Sequence, residues 1–436
     1  MAKIIPFQGT CYNKGEVGDI STVFAPPYDV VTPEERDRQK GLNPYNIFHL
    51  ELPSVQDCSG KAQDKYDCAR QLLNKWQHSG VLFKDSKPCI YSYDIDFKAD
   101  GGRFTRRGFI CLLRTDDWSE GTVLPHEKTF GKVTEDRFRL RMATRAQFSQ
   151  IFMLYRHQEQ LAEILSSGNS QEIFRVQDGQ GCVHRLFRMS GRDALQDIPE
   201  CLAGSPLYIA DGHHRYTTAI RYRQEMIRLH GDNPEALYNY TMVYLVDVDD
   251  PGMIVLPTHR LVRIPEGMDC EDVRARLAEF FDLEPMEFAP EQNSSFNART
   301  FRDKLKEACS NSITLVFGEK KRAFVLCPRK DAMERLMKVV GHRELASLDV
   351  VVLEELVFKG ALGINTDEME TGKDIIYTAD SEAALDSLGQ EQMLFFMHPT
   401  PVSQVLDVAD AGLSMPHKST YFYPKILTGL VMNVEE

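Results

Sequence analysis

The sequence predicts a mixed α/β (α+β) protein built from two units. Short apolar runs alternate with stretches of helical periodicity along the 436 residues, a pattern typical of helices packed on a sheet. The length exceeds one usual hydrophobic core, and a prior of roughly 150 residues per domain gives about two or three domains. Residues 249–252 (Asp-Asp-Pro-Gly) combine turn residues with a break in pattern, so we divide the chain into 1–250 and 251–436.

Local patterns predict the first elements of the N-terminal unit. Thr32, with a proline next and Glu35 three residues later, forms a capping box and marks a helix start. Apolar and aromatic residues at helical spacing predict a helix over 62–79. Strand-like runs at 89–97 and 105–113 flank turn residues and predict an antiparallel hairpin.

The remaining elements follow from the same criteria. Residues 207–211 predict a short buried strand, after which an Asp-Gly turn leads into a helix that continues to about His230. A further strand is predicted at 239–247. In the second unit we predict strands at 254–256 and 313–317, a hairpin partner at 323–327 and an apolar helix over 345–358. The unit ends with the apolar run 393–397 and a polar loop at 414–423.

Charge and cysteine usage exclude several classes of protein. The chain carries 51 Lys and Arg against 64 Asp and Glu, a net charge of −13. Such a chain repels phosphate backbones and anionic lipid, so neither nucleic acid nor a membrane is expected as a partner. The ten cysteines contain no Cys-x-x-Cys, which removes zinc ribbons and thioredoxin-type sites. A chain of this size does not need disulfides, and its first residues lack an apolar signal core, so a reducing cytoplasm is the expected location.

Residues 211–215 (Asp-Gly-His-His-Arg) carry the sharpest functional signal. A glycine after a strand allows close approach of a ligand, and the first free amides of the following helix point at the same place. Arg215 adds a planar fork of five donors. Gly212, His213, His214 and Arg215 therefore predict a phosphate cradle, beside which Asp211 is placed to hold a divalent cation. The alternative is an Asp-Gly turn that caps a helix with two surface histidines.

A second cluster lies at His126, Glu127 and Lys128. It offers a titratable imidazole, an acid/base carboxylate and an ammonium that pairs with phosphate. On an extended backbone His126 and Lys128 would share one side and Glu127 the other. The alternative is a solvated loop, followed by the arginines of residues 134–141 on an exposed helix face.

Two more loops hold candidate residues. Asp29 follows two prolines, and rigid backbone suits a site, although such prolines also mark edge strands whose turn an aspartate caps. Lys418 stands in a Pro-led loop of the second unit and is a candidate anion ligand, with a plain surface loop as the alternative. The chain contains no His-Glu-x-x-His, Gly-x-Ser-x-Gly or Gly-x-Gly-x-x-Gly, so zincin, serine hydrolase and Rossmann interpretations lack their usual anchors.

Seven short landmarks run along nearly the whole chain. They are Ala-Pro-Pro-Tyr-Asp-Val-Val at 25–31, Asn-Pro-Tyr-Asn at 43–46, Leu-Pro-His-Glu-Lys-Thr at 124–129, Glu-Asp-Arg at 135–137, Ala-Asp-Gly-His-His-Arg-Tyr at 210–216, Leu-Pro-Thr-His-Arg at 256–260 and Met-Pro-His-Lys-Ser-Thr-Tyr-Phe-Tyr-Pro-Lys at 415–425. By these landmarks the chain resembles the family catalogued as domain of unknown function 1015. That family has no settled activity, so the resemblance implies little about mechanism.

A shorter resemblance bears more directly on chemistry. Residues 212–219 (Gly-His-His-Arg-Tyr-Thr-Thr-Ala) are similar to the Gly-x-x-Arg…Ala box of the ParB and sulfiredoxin-like superfamily. Members hold nucleotide phosphates with this box; they include a CTP-hydrolysing partition protein, an ATP-dependent sulfinic-acid reductase and kinases of free serine. The resemblance implies a nucleotide-binding core in the first unit. His213 replaces the reductase's reactive cysteine, and no basic helical DNA-binding region is found, so neither reductase nor partition function is expected.

These signals combine into one leading hypothesis. The chain is predicted to be a phosphotransferase or nucleotide hydrolase that uses Mg²⁺ with ATP, ADP or another nucleotide and acts on a small hydroxylated metabolite, with free serine as a candidate. The residues and their predicted roles are Gly212, His214 and Arg215 for phosphate, Asp211 for the metal, His126 and His213 in the catalytic set, Glu127 or Asp29 as the acceptor's base, and Lys128 or Lys418 to neutralise developing charge.

Two rival hypotheses are compatible with the same residues. One is a non-catalytic nucleotide or metabolite sensor, in which the cradle binds ligand and the second unit passes the signal to a partner. The other is a metal-dependent hydrolase with His126, Glu127, Asp211 and His213 as ligands.

Overall fold

The structure is a computed structural model in which most of the chain is described. The described residues are 2–58, 62–99, 101–129, 131–166, 170–289, 292–319, 322–366 and 374–435. The chain forms two compact units: one comprises Met1–Ile254 with Pro424–Glu436, and the other Val255–Tyr423.

The C-terminal segment belongs to the first unit. There Met432 and Thr10 exchange backbone hydrogen bonds of 2.8 and 2.9 Å, and Asn433–Val434 pairs with Ala146–Gln147. The sequence division at residue 250 placed this segment in the second unit. An Asp-Pro-Gly linker marks where the chain leaves a unit, and it carries no information about a later return.

The first unit is built on a mixed sheet. The strands of this unit are β1 Ile4–Ile5, β2 Thr10–Tyr12, β3 Leu82–Lys84, β4 Ile90–Ala99, β5 Gly102–Arg114, β6 Val123–Leu124, β7 Ala146–Gln147, β8 Ile151–Tyr155, β9 Gln171–Gln177, β10 Val183–Met189, β11 Leu207–Asp211 and β12 Tyr240–Asp247. Nine of these, within the described ranges, form one sheet in the order β6-β11-β8-β12-β5-β4-β10-β9, with β1 paired to β5. The predicted hairpin is confirmed as β4 and β5, and the predicted strands at 207–211 and 239–247 are confirmed as β11 and β12.

Helices cover this sheet. They are α1 Lys14–Val17, α2 Pro33–Leu42, α3 Phe48–Glu51, α4 Lys65–His78, α5 Gly131–Thr144, α6 Glu159–Ser166, α7 Ile198–Leu202 and α8 His213–His230. The predicted start of α2 is confirmed, because the Thr32 hydroxyl accepts a hydrogen bond of 3.2 Å from the Glu35 amide. The helices predicted over 62–79 and up to about His230 are confirmed as α4 and α8.

Apolar side chains from the central strands fill the core of the first unit. Phe109 of β5, Met153 of β8, Ile209 of β11 and Leu245 of β12 are all completely buried. Burying a side chain of this size stabilises the fold by roughly 1.5–3 kcal/mol. The strands that carry candidate site residues are therefore anchored by the core.

Strand direction brings separate segments to one edge of the sheet. β6 and β11 are parallel, so the residues that follow them, including His126 and Gly212, lie at the same edge. β8 runs antiparallel to β11, with Phe152 opposite Asp211, so Gln150, just before β8, reaches that edge as well. The first turn of α8 starts there.

The second unit has its own sheet, and every pairing in it is antiparallel. Its strands are β14 His259–Arg263, β15 Phe281–Met286, β16 Ile313–Phe317, β17 Arg322–Pro328, β18 Ile375–Thr378 and β19 Gln392–Phe396, in the order β15-β17-β16-β19-β14-β18. Three short strands complete the chain: β13 Ile254–Leu256 at the boundary, β20 Tyr421–Tyr423 and, in the first unit, β21 Asn433–Val434. The helices are α9 Cys270–Leu277, α10 Ser294–Glu307, α11 Lys330–Val340, α12 Arg343–Ala346, α13 Asp349–Val352, a π-helix Leu353–Leu362, α14 Ser381–Asp386 and α15 Val402–Asp410.

The helix predicted over 345–358 is interrupted in the structure. Leu348 is extended, with φ −91° and ψ 125°. The Asn311 amide donates to the Ser347 carbonyl at 2.8 Å and to the Asp349 carboxylate at 2.9 Å. Asn311, which is distant in sequence, thus stabilises the break between α12 and α13. The local apolar pattern does not indicate this break.

Cysteines and hydropathy add two observations. Cys58 and Cys68 form a disulfide with a Cα–Cα distance of 5.7 Å, so the expectation of a fully reduced chain is not met at this pair.

Within the described residues, no helix combines the length and the apolar character that crossing a membrane requires.

Candidate functional site

The start of α8 requires a glycine. Gly212 has φ +103°, a conformation that L side chains rarely adopt. A β-carbon there would also lie only 2.9 Å from Nε of Arg215, because this guanidinium folds back over the glycine. The Asp-Gly turn therefore serves two purposes: it starts the helix, and it leaves room for Arg215.

Arg215 is buried but incompletely bonded. The residue is 9% exposed. Its Nη1 donates to the Gln150 carbonyl, and its Nη2 lies 3.5 Å from a carboxylate oxygen of Asp211. Nε and Nη2 have no hydrogen-bond partner among the described residues. A buried donor without a partner costs about 1–3 kcal/mol, so this guanidinium is suited to an incoming acceptor.

Asp211 lies between two cations. Its Oδ2 accepts a 2.8 Å hydrogen bond from Nζ of Lys425, and its Oδ1 faces Arg215. A Mg²⁺ ligand needs an oxygen that faces the ion, and here both oxygens face positive groups. The arrangement does not fit the predicted metal role of Asp211; it fits a role in orienting Arg215 and Lys425.

His126, Glu127 and His213 come together beside the cradle. The His126 amide donates to Nε2 of His213 at 3.2 Å, and the two rings pack edge to face with centroids 4.6 Å apart. Because Nε2 accepts, the proton of neutral His213 must be on Nδ1. That nitrogen lies 4.0 Å from Oε2 of Glu127. The tautomer of His213 thus presents an N–H group to the Glu127 carboxylate.

Burial keeps both histidines neutral. It lowers the pKa of His126 from 6.5 to about 4. Burial, reinforced by the neighbouring His126, holds the pKa of His213 well below 6.5. His213 is therefore a neutral ring with a single donor and does not titrate near neutral pH.

Four nearby acidic groups also act on the charge of Arg215. Burial opposes its charge, but Asp211, Asp29, Tyr28 and Glu51 outweigh this and raise its pKa. Asp29 is exposed, so it faces solvent while its charge acts on Arg215. Asp29, Glu127 and Arg215 therefore all belong to the neighbourhood of the cradle.

The two lysines that were predicted to neutralise developing charge, Lys128 and Lys418, lie in different surroundings. Lys128 is exposed, whereas the neighbouring His126 is fully buried. Lys418 belongs to the second unit, where its φ is +57° and its carbonyl accepts from Nη2 of Arg260 at 3.1 Å. His214 is half-buried on the first turn of α8.

Four residues near Arg215 were missed by sequence reasoning. They are Glu51 at the end of α3, Arg141 on α5, Gln150 before β8 and Lys425 in the C-terminal segment. Lys425 closes the last family landmark. Arg141 belongs to the arginine series at residues 134–141, for which an exposed helix face was the alternative, and it is buried. Glu51 and Gln150 stand in unremarkable local sequence and are identified by where the fold places them.

One potential metal-ligand group occurs in the described part of the chain, and it lies elsewhere. It consists of His157, Asp247 and Asp249, with His157 Nδ1 2.7 Å from Asp247 Oδ2. His157 follows β8, and Asp247 and Asp249 lie at the carboxyl end of β12, at the edge of the sheet opposite Gln150. The ligand set of the hydrolase hypothesis, His126, Glu127, Asp211 and His213, does not assemble among the described residues.

Known structures resemble the chain only loosely. A free serine kinase mutant in complex with ADP is 14% identical with a TM-score of 0.35, over 75% of this chain and 92% of that chain. A free serine kinase in complex with AMP is 14% identical with a TM-score of 0.33, over 75% and 91%. A conserved hypothetical protein from Pyrococcus furiosus is 14% identical with a TM-score of 0.33, over 75% and 95%. Scores of this size do not establish a shared fold.

The family comparison identifies the family of the chain, which the structural comparison does not. No curated protein matches the chain. The profile of a family described as protein of unknown function (DUF1015) matches residues 4–351, well over half of the 436 residues. The chain therefore belongs to the DUF1015 family of proteins of unknown function.

Proposed function

We propose that the protein is a phosphotransferase that moves a phosphoryl group from a nucleotide to a small hydroxylated metabolite, with free serine as the first acceptor to test. The observation that carries the proposal is Arg215, a buried guanidinium in which Nε and Nη2 have no hydrogen-bond partner among the described residues. It lies at the first turn of α8, where the backbone amides have no carbonyl of their own helix to bond. Phosphate oxygens accept from such donors bidentately. In this proposal Gly212, His214 and Arg215 bind nucleotide phosphate.

The proposed transfer uses the neighbouring carboxylates. The acceptor's hydroxyl oxygen forms a bond to phosphorus, the bond from phosphorus to the nucleotide oxygen breaks, and the hydroxyl proton passes to Glu127 or Asp29. Nδ1 of neutral His213 lies 4.0 Å from Oε2 of Glu127, beyond hydrogen-bond length, and the His126 amide fixes the ring of His213. Phosphoryl transfer depends mainly on positioning and on neutralising charge.

In the proposal, a lysine side chain adds to the positive charge of Arg215. The sequence candidates were Lys128 and Lys418, and the structure adds Lys425, which is bonded to Asp211 beside the cradle. Lys425 is the candidate best supported by geometry, because Asp211 fixes its ammonium within the first unit. Lys128 and Lys418 remain proposed sources of positive charge in the nucleotide-bound protein.

A Mg²⁺ requirement is part of the proposal, but Asp211 as found is not its ligand. The ion would neutralise charge on the nucleotide phosphates and would arrive with them. The proposal further places the core in the ParB and sulfiredoxin-like superfamily, on the resemblance of residues 212–219, and expects a cytoplasmic protein.

The direct test is transfer of phosphate from ATP to L-serine, followed by ³¹P NMR with and without Mg²⁺. Wild-type protein should form a phosphomonoester and ADP, and Glu127→Gln should slow transfer about 100-fold or more while nucleotide binding is kept. Exposed Arg139→Gln is the control and should match wild type. Nucleotide binding without transfer to any tested hydroxyl compound would contradict a phosphotransferase and favour the sensor alternative.

A further inference from the structure

A small cavity lies behind the cradle in the first unit. Its volume is about 60 Å³. Glu51 at the end of α3, Arg137 and Arg141 on α5, Ser149 and Arg215 all line it. Ligand pockets for drug-sized molecules are roughly 300–1,000 Å³, so this space suits a group of a few atoms and not a nucleotide.

Three of the twelve residues that line this cavity are arginines, and one is a glutamate. The side chains of Arg137, Arg141 and Arg215 are 7–8% exposed, and that of Glu51 is 5% exposed. Three guanidinium groups thus face one carboxylate. Buried charge is costly unless it is paired, so the partners of each arginine decide whether the cavity is already neutralised.

The two arginines on α5 also have acidic partners. Arg137 is bonded to Asp136 and lies 3.5 Å from Oε1 of Glu51. Arg141 donates to Glu435 at 3.3 Å. Arg215 shares Asp211 with Lys425, as described above. Each arginine thus has a carboxylate nearby, but Arg215 lies 3.5 Å from its carboxylate without forming a hydrogen bond to it.

Unbonded donors occur on two of these arginines. Nε of Arg141, together with Nε and Nη2 of Arg215, has no hydrogen-bond partner among the described residues. Water can occupy such a space, because one molecule needs about 10–15 Å³. A carboxylate would accept from the same donors and also neutralise charge, which water cannot do.

Glu51 supports the same conclusion. Burial raises its pKa, although Arg137, Arg215 and a hydrogen bond from Ser149 at 3.2 Å oppose the rise. The environment thus favours the neutral form of this group more than water does. A second negative charge in the cavity is accommodated most easily when Glu51 holds a proton.

We propose that this cavity binds the carboxylate of the acceptor. The inference rests on the proposed phosphotransferase function and narrows its substrate class to short hydroxy or amino acids, excluding uncharged polyols. Arg215 lines the cavity and also lies over Gly212, so it can contact the carboxylate from one side and the phosphate from the other.

The test is equilibrium binding to the full chain at constant ionic strength. Glycolate, a two-carbon hydroxy acid, should bind, and ethylene glycol, which has the same skeleton without the carboxylate, should not. Arg141→Gln should weaken glycolate binding at least tenfold, and Arg139→Gln, on the exposed face of the same helix, should not change it. Glu51→Gln should tighten binding at least threefold, because it removes the negative charge from the lining.

Several outcomes would overturn the inference. These are equal binding of glycolate and ethylene glycol, glycolate binding that is insensitive to Arg141→Gln in a folded variant, or weaker binding by Glu51→Gln. Inorganic phosphate that binds more tightly than glycolate and displaces it would assign the cavity to phosphate instead. A thermal shift with ADP and Mg²⁺ but no glycolate binding refutes the carboxylate site and leaves the nucleotide site intact. Glycolate binding without a thermal shift for any nucleotide refutes the phosphotransferase and the acceptor role of the cavity, and leaves a carboxylate site of another function.

Discussion

Burial decides which residues of the site are charged. Arg215 keeps its charge because acidic neighbours outweigh the cost of burial. His126 and His213 lose theirs because burial outweighs the opposing effect of Asp211. At neutral pH the positive charge near the cradle is therefore carried by Arg215 and Lys425, and the histidines act as neutral hydrogen-bonding groups.

This distribution of charge predicts an acid-sensitive fold. The pKa of His126 is about 4 in the folded chain against 6.5 ordinarily, so the unfolded chain binds more protons between these values. Stability is then complete above about pH 6.5 and falls as the pH drops toward 4, by about 3 kcal/mol for this group. Urea denaturation across this range should show a shallower pH dependence for His126→Gln than for wild type. Equal slopes would contradict the buried neutral assignment.

At the scale of elements, α8 and α5 differ in how far the sequence predicts them. The strand, glycine and helix around Gly212 are a local pattern, and the structure confirms them. The buried face of α5 is not local: Arg137 and Arg141 are buried while Arg139 is exposed, because α5 packs against α8 and α4. Which face of a helix is buried depends on the elements that pack against it. A series of charged residues, taken alone, predicts a face that is exposed to solvent.

The two glycines at the ends of α8 make a matched pair for mutation. Gly212 and Gly231 have φ of +103° and +85°, so alanine at either site should cost about 1–2 kcal/mol of stability. A β-carbon at 212 would meet Arg215, whereas one at 231 meets nothing within 4 Å. Gly212→Ala should therefore abolish the nucleotide-induced rise in Tm, and Gly231→Ala should keep it. An equal loss in both variants would show that helix stability, not Arg215, controls binding.

At the scale of the whole molecule, the first unit is discontinuous in sequence. Lys425 bonds to Asp211, 214 residues earlier, and Glu435 bonds to Arg141 and Tyr222. Contacts over such separations leave no periodic pattern, which explains why division at residue 250 separated these partners. The same reason explains why Glu51 and Gln150 were not predicted as site residues.

A truncation tests this organisation. A chain that ends at residue 254 lacks Lys425 and Glu435, which bond to Asp211 and Arg141. It should be clearly less stable than a chain in which residues 424–436 are joined to residue 254 by a flexible linker. Circular dichroism during thermal unfolding would measure the difference. Identical unfolding of the two chains would contradict the assignment of residues 424–436 to the first unit.

The central claim is that Arg215 and the first turn of α8 bind nucleotide phosphate. Calorimetric titration of the full chain with ADP and Mg²⁺ tests it most directly, with Arg215→Gln as the variant and Arg139→Gln as the control. We expect wild type and the control to bind equally and Arg215→Gln to bind at least tenfold more weakly, because charged hydrogen bonds contribute about 1.5–3 kcal/mol. No binding of any nucleotide by wild type, or unchanged binding by Arg215→Gln, would contradict the claim.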